Sequence, residues 1–131
     1  MKDETIAKKK LTINDIKNKK GIEPIVMITA YDALFAKIFD DYADIILVGD
    51  SLNMSFNMHE STLSADMSTM LYHTKAVCAG AKKTFILADM PFGSYTNEKQ
   101  AIKHASGKFS KTPLRRGHKR DGSHRTKAAI F

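Results

Sequence analysis

The sequence predicts an α/β protein built on a parallel sheet. Three short apolar runs read as strands: Pro24-Ile-Val-Met-Ile-Thr-Ala30, Asp44-Ile-Ile-Leu-Val-Gly-Asp50 and Thr84-Phe-Ile-Leu-Ala-Asp89. Each is continuous and rich in branched residues, which suits a parallel strand buried on both faces. Segments of helical periodicity lie between them, and this alternation implies right-handed crossovers rather than hairpins. The second and third runs both end in an aspartate.

In chain order, residues 11–20 read as a short helix, with Thr12 as N-cap and Gly21 as its close. Pro24–Ala30 is a first buried strand, ending at Tyr31-Asp32. The segment 33–39 has apolar residues at 34, 35, 38 and 39, one face of a helix. The second strand is 44–49. A polar loop from Asn53 to Ser64 leads to a long helix over about 66–80, with Met67, Met70, Leu71, Thr74, Val77 and Cys78 along one side and Gly80 as its stop. The third strand is 84–88, and a Pro91/Gly93 loop precedes a helix that begins at Asn97 and runs through Ala105. After residue 106 the alternation stops. Gly107, Pro113, Gly117 and Gly122 interrupt it, and no fourth apolar strand is predicted before Phe131. Strand three is therefore expected to keep an unpaired apolar edge, a template for aggregation.

The chain of 131 residues matches one compact domain but is short for a closed (β/α)8 barrel, which needs about 250. No segment approaches the ~18 apolar residues of a membrane span. Met1-Lys-Asp-Glu-Thr5 leads into Lys8-Lys9-Lys10 with no apolar core of a signal peptide. Cys78 is the sole cysteine, which excludes an internal disulfide and fits a reducing compartment. A cytoplasmic protein with no membrane partner is expected.

The net charge of +7 is local. Residues 107–131 hold Lys108, Lys111, Arg115, Arg116, Lys119, Arg120, Arg125 and Lys127 against the single acid Asp121, so residues 1–106 are neutral. All four arginines lie in this tail. A non-enzymatic nucleic-acid binder using these eight bases would show log K falling with log salt at a slope of about −7. The tail has no aromatic interleaving beyond Phe109 and Phe131, so nucleic acid is not the expected partner. The sequence divides into residues 1–106, the α/β part, and residues 107–131, a basic and aberrant tail.

Asp50 and Asp89 carry the functional argument. α/β barrels place their chemistry at the C-terminal ends of strands, where both residues fall. Either could instead cap the helix or loop after its strand. Together, one βα unit apart, they could share a hard divalent cation, and magnesium takes oxygen ligands with water or substrate completing its octahedron. Ser51 sets a hydroxyl beside the carboxylate of Asp50, suited to a substrate carboxylate or keto oxygen. His59, His73 and His104 show no metal-ligand spacing, and His73 reads as a helix-surface or packing residue. Met67 and Met70 read as core filler, Gly49 and Gly93 form no phosphate fingerprint, and Tyr31-Asp32 could line the same mouth, although aromatic packing is the expected role of Tyr31.

Five segments occur in order: Ile28-Thr-Ala-Tyr-Asp32, Leu47-Val-Gly-Asp-Ser-Leu52, His59-Glu-Ser-Thr62, Tyr72-His-Thr-Lys-Ala76 and Ala88-Asp-Met-Pro-Phe92. Over roughly residues 11–106 the chain resembles the N-terminal part of the ketopantoate hydroxymethyltransferase family. The resemblance implies a (β/α)8 TIM barrel of the phosphoenolpyruvate mutase and isocitrate lyase-like group, here an incomplete one of an N-terminal helix and about three βα units. It implies a homodecamer, Mg2+ and 5,10-methylenetetrahydrofolate, with 3-methyl-2-oxobutanoate as the acceptor in pantothenate synthesis. By the same carry-over Asp50 and Asp89 are metal ligands, and Asp50, Ser51 and Asp89 contact the 2-oxo acid. Mg2+ on the keto and carboxylate oxygens would stabilise the enolate that attacks the one-carbon unit. Another 2-oxo acid enzyme of the same barrel group is the alternative, because this fold changes chemistry freely.

The chain departs from the family at its fourth strand. There the family reads approximately Asp-Ala-Val-Lys-Leu-Glu-Gly-Gly, with a substrate-binding lysine and a third metal-associated acid. This chain has Thr112-Pro-Leu-Arg-Arg-Gly117 instead. The family's general base lies further on, so no catalytic residue is assigned, and the chain alone is expected to be truncated and inactive. Asn53 stands where a glycine is usual. A shifted reading frame or a truncation is the expected origin of the tail: Leu114–Gly117 can be encoded so that one base over reads Cys-Asp-Ala.

Overall fold

The structure, a computed structural model, describes residues 9–107 and 128–130. Its elements are α1 (Ile13–Lys19), β1 (Met27–Thr29), α2 (Ala33–Phe39), β2 (Ile45–Val48), α3 (Leu52–Asn57), α4 (Met67–Gly80), β3 (Phe85–Asp89), α5 (Glu98–Gly107) and β4 (Ala128–Ile130). The basic tail from Lys108 to Lys127, with its proposed frame shift, lies outside the described residues. No helix among them is long and apolar enough to cross a membrane.

Side-chain caps fix the helix starts. Thr12 and Asp15 form a reciprocal capping box on α1, and the Thr12 backbone N–H donates to Asp15 Oδ2 at 2.6 Å. Asp32 accepts from the Phe35 N–H at 2.9 Å, Asp66 from Thr69 at 2.7 Å and Asn97 from Gln100 at 2.8 Å. Each cap satisfies an N–H that the first helical turn leaves without a partner. Gly21, just past α1, has a φ of +77°, the left-handed conformation in which glycine closes helices.

The strands run in sheet order β1-β2-β3-β4. The first three are parallel, with Ile28 opposite Ile46 and Ile46 opposite Ile86. Alternate residues of β2 and β3 (Ile46, Val48, Ile86 and Ala88) are buried in one cluster with Ala36 of α2 and Met70 and Val77 of α4. Both crossover helices thus cover the same sheet face. Fully burying a branched or methionine side chain contributes about 1.5–3 kcal/mol, so this cluster dominates the stability of the fold. Asp40, which caps α2, ties the helix to β3: its carboxylate accepts the backbone N–H groups of Lys82, Lys83 and Thr84 at 2.8–2.9 Å.

Several expectations are corrected here. The strands are not buried on both faces: Ile45, Leu47 and Leu87, on the face away from α2 and α4, are only partly covered. The first strand is three residues long and largely exposed, because β1 is the outer strand of the described sheet. The apolar stripe of 33–39 meets the core only at its end: Leu34, Phe35 and Ile38 are exposed, while Phe39 packs against the core cluster and Ala36 is buried in it. The polar loop from 53 contains α3, which buries Leu52 and Asn53. Strand three does not keep an unpaired edge. β4 runs antiparallel to it, with Leu87 opposite Ile130 and Asp89 opposite Ala128. Three residues, two of them alanine, are too short a run to read as a strand from periodicity.

The long helix matches its expected range, with Met70, Thr74 and Val77 buried. Gly80 is its last residue, and a second reason for glycine appears there: a Cβ would lie 2.1 Å from the Ala33 carbonyl oxygen. α2 and α4 touch backbone to backbone at this point.

Candidate functional site

Parallel register brings the site together. Val48 pairs with Ala88, so one step further along the strands Asp89 stands opposite Gly49. Thr29 pairs with Leu47, so two steps further Tyr31 reaches the same row. Three strand ends therefore deliver Tyr31, Gly49-Asp50-Ser51 and Asp89 to one edge of the sheet. The chain turns directly into α3 after Ser51, and the Leu52 N–H bonds back to the Gly49 carbonyl at 3.1 Å.

The polar atoms converge over Gly49. A Cβ built there would lie 3.0 Å from Ser51 Oγ, 3.6 Å from Asp89 Oδ2 and 3.8 Å from the Tyr31 hydroxyl. The absent side chain leaves a small cradle edged by a hydroxyl, a carboxylate and a phenol. Asp89 Oδ2 also accepts the Asp50 backbone N–H at 3.2 Å, which ties the two strand ends together. Asp50, Ser51 and Asp89 are all partly buried, shielded but open on one side.

Tyr31 lines this mouth, one of the two roles its position at the end of the first strand allowed, and its ring packs as well. Its hydroxyl and Ser51 Oγ are 2.9 Å apart. Its carbonyl oxygen lies 2.7 Å from His73 Nδ1. A carbonyl only accepts, so His73 donates from Nδ1. The Tyr31 ring meets Phe56 edge-to-face at 5.5 Å, and Phe56 lies 5.1 Å from the His73 ring. His73 is thus a packing and hydrogen-bonding residue, as its helical position suggested. Asn53 anchors the loop behind α3. Its amide donates to the Ser61 carbonyl at 2.9 Å and Ser64 Oγ at 2.8 Å, and its oxygen accepts from Asn57 at 3.1 Å. The cue for this role was an amide in place of a glycine.

The donors suit a hard cation. Magnesium is commonly held by one or two carboxylates, with substrate and water oxygens completing its shell. Asp50 and Asp89 would supply two such carboxylates. Among the described residues no three or more His, Cys, Asp or Glu side chains cluster as a metal site, so a cation here would draw its remaining ligands from substrate and water.

Three parallel strands with helices on one face, and acidic and hydroxyl groups at their C-terminal ends, make this an α/β protein. Comparison with known proteins is more specific. The family model described as ketopantoate hydroxymethyltransferase matches residues 10–128. The chain is 89% identical over 112 residues to a 3-methyl-2-oxobutanoate hydroxymethyltransferase of Campylobacter concisus, covering 86% of this chain and 41% of the relative. The Campylobacter curvus protein of that name is 73% identical over 106 residues, covering 80% and 39%. The Helicobacter pylori one is 59% identical over 112 residues, covering 86% and 42%. This chain belongs to the ketopantoate hydroxymethyltransferase family. It spans about two fifths of the length of these relatives.

Proposed function

We propose that this chain carries the keto-acid and magnesium end of a hydroxymethyltransferase site, which moves a one-carbon unit from 5,10-methylenetetrahydrofolate to 3-methyl-2-oxobutanoate. The observation that carries the reading is the approach of Ser51 Oγ and Asp89 Oδ2 over Gly49, with Asp89 Oδ2 also accepting the Asp50 backbone N–H. Asp50 and Asp89 would hold Mg2+, and Ser51 would donate to an oxygen of the 2-oxo acid. When bound, Mg2+ would serve as a Lewis acid on the keto and carboxylate oxygens. Ser51 and Asp89 would fix the acid's orientation against the strand ends.

Membership of a (β/α)8 barrel is part of the proposal. Its support is the sequential strand order with both crossovers on one face; a doubly wound sheet reverses its order and places helices on both faces. A homodecameric, cytoplasmic enzyme completes the reading.

Binding of 3-methyl-2-oxobutanoate with and without Mg2+, followed by amide chemical shifts, tests it. Mg2+-dependent shifts at Gly49, Asp50, Ser51 and Asp89 are expected, abolished by Asp89→Asn and weakened by Asp50→Asn. A wild-type chain without such shifts would refute the reading. No product is expected when the chain alone is given Mg2+, keto acid and methylenetetrahydrofolate, because Thr112–Gly117 replaces the family's lysine and third acid. Robust turnover would overturn that part.

A further inference from the structure

We propose that Tyr31 is a positioning residue: its hydroxyl fixes the Ser51 side chain over the Gly49 cradle, and His73 holds Tyr31 in place from behind. The inference rests on the keto-acid reading of the site and assigns it a residue that reading does not include. Three independent constraints act on Tyr31. Its hydroxyl is 2.9 Å from Ser51 Oγ, its carbonyl accepts from His73 Nδ1 at 2.7 Å, and its ring packs edge-to-face on Phe56 at 5.5 Å. A serine hydroxyl has three staggered χ1 wells. A single strong partner on a rigid phenol selects among them, so Ser51 meets its ligand already oriented. Preorganisation of this kind raises affinity by removing the cost of ordering the side chain on binding.

The relay crosses three elements. His73 sits on α4, Tyr31 follows β1, and Ser51 precedes α3. The His73 bond thus gives α4 a direct hold on the Tyr31 main chain, in addition to its packing on the sheet. Gly49 suits the same geometry, since a Cβ there would lie 3.0 Å from Ser51 Oγ and press the hydroxyl aside.

The test is a pair of readouts on this chain. In the absence of ligand, three-bond couplings of the Ser51 β-protons should report one χ1 rotamer in the wild type and averaging in Tyr31→Phe, which keeps the ring and its contact with Phe56. His73→Ala should loosen Ser51 in the same direction, and His73→Asn, which retains an N–H near the Nδ1 position, should restore it. With Mg2+ present, Tyr31→Phe should weaken 3-methyl-2-oxobutanoate binding about three- to tenfold, the equilibrium worth of one hydrogen bond. Affinity for Mg2+ alone should not change. Adding Tyr31→Phe to Ser51→Ala should cost nothing further, because the two act as one unit. A single Ser51 rotamer in Tyr31→Phe, or additive losses in the double variant, overturns the inference. A wild-type chain that ignores the keto acid counts against the functional reading, and the ligand-free couplings still decide the role of Tyr31.

Discussion

Gly80→Ala is the substitution that most directly tests how this fold is held together. In an exposed helix, alanine is favoured over glycine by up to about 1 kcal/mol, so propensity alone expects the variant to be more stable. The structure reverses the sign. A Cβ at Gly80 would lie 2.1 Å from the Ala33 carbonyl oxygen, 2.9 Å from its carbon and 3.0 Å from its Cα. All three are backbone atoms, so no rotamer change relieves the contact, and α2 must move away from α4 by about 1.3 Å to reach ordinary van der Waals separation. That movement opens the cluster around Ala36, Met70 and Val77. Overpacking of this kind costs about 1–3 kcal/mol. Set against the propensity gain, a net loss of about 1 kcal/mol is expected. Urea unfolding monitored by circular dichroism measures it, with Ala79→Gly on the exposed side of α4 as the propensity control. A midpoint equal to or above that of the wild type would refute the claim that backbone contact between these helices fixes their spacing.

Asp40 supplies a pH-dependent prediction. Its burial pushes the carboxyl pKa up, but the backbone N–H groups of Thr84, Lys82 and Lys83, with the Thr84 hydroxyl, outweigh this and hold it below the usual aspartate value of 3.8. A depressed acid adds stability above its unfolded pKa and loses it as pH falls through the folded one. The acid limb below about pH 4 should therefore flatten in Asp40→Asn, with a loss of about 1–2 kcal/mol at neutral pH; an unchanged acid limb argues against the bridge. Asn53→Gly, which restores the residue usual in the family, should leave the Ser61 carbonyl and Ser64 hydroxyl without their amide partner. Faster hydrogen exchange across Thr62–Asp66 is expected, and unchanged protection there would show that the loop holds itself.

The strands and the long helix were legible because their signals are local: apolar runs of strand length and a periodic face ending in a glycine. Asp50 and Asp89 were legible for the same reason, each being the first charged residue after such a run. Burial was not legible. Leu34, Phe35 and Ile38 form a regular helical face, yet their exposure depends on which elements cover α2. α3 escaped because six residues without a capping side chain carry too little periodicity to stand out from a loop. The Tyr31–Ser51 bond spans 20 residues of sequence and exists only through the parallel register. Gly80 was read as a stop, although its proximity to Ala33 is the stronger constraint.

The sequential strand order also bears on how the chain acquires its structure during synthesis. β2 pairs with the strand made immediately before it, and β3 then pairs with β2. Each newly made strand can add to an edge already present, without waiting for a distant partner to insert between two others. Each pairing then closes only the loop between neighbouring strands, and closure entropy grows slowly with loop length. On the ribosome, where the N-terminal portion emerges first, residues through Asp89 can form the sheet and join Asp50 to Asp89 before the segment that follows leaves the exit tunnel.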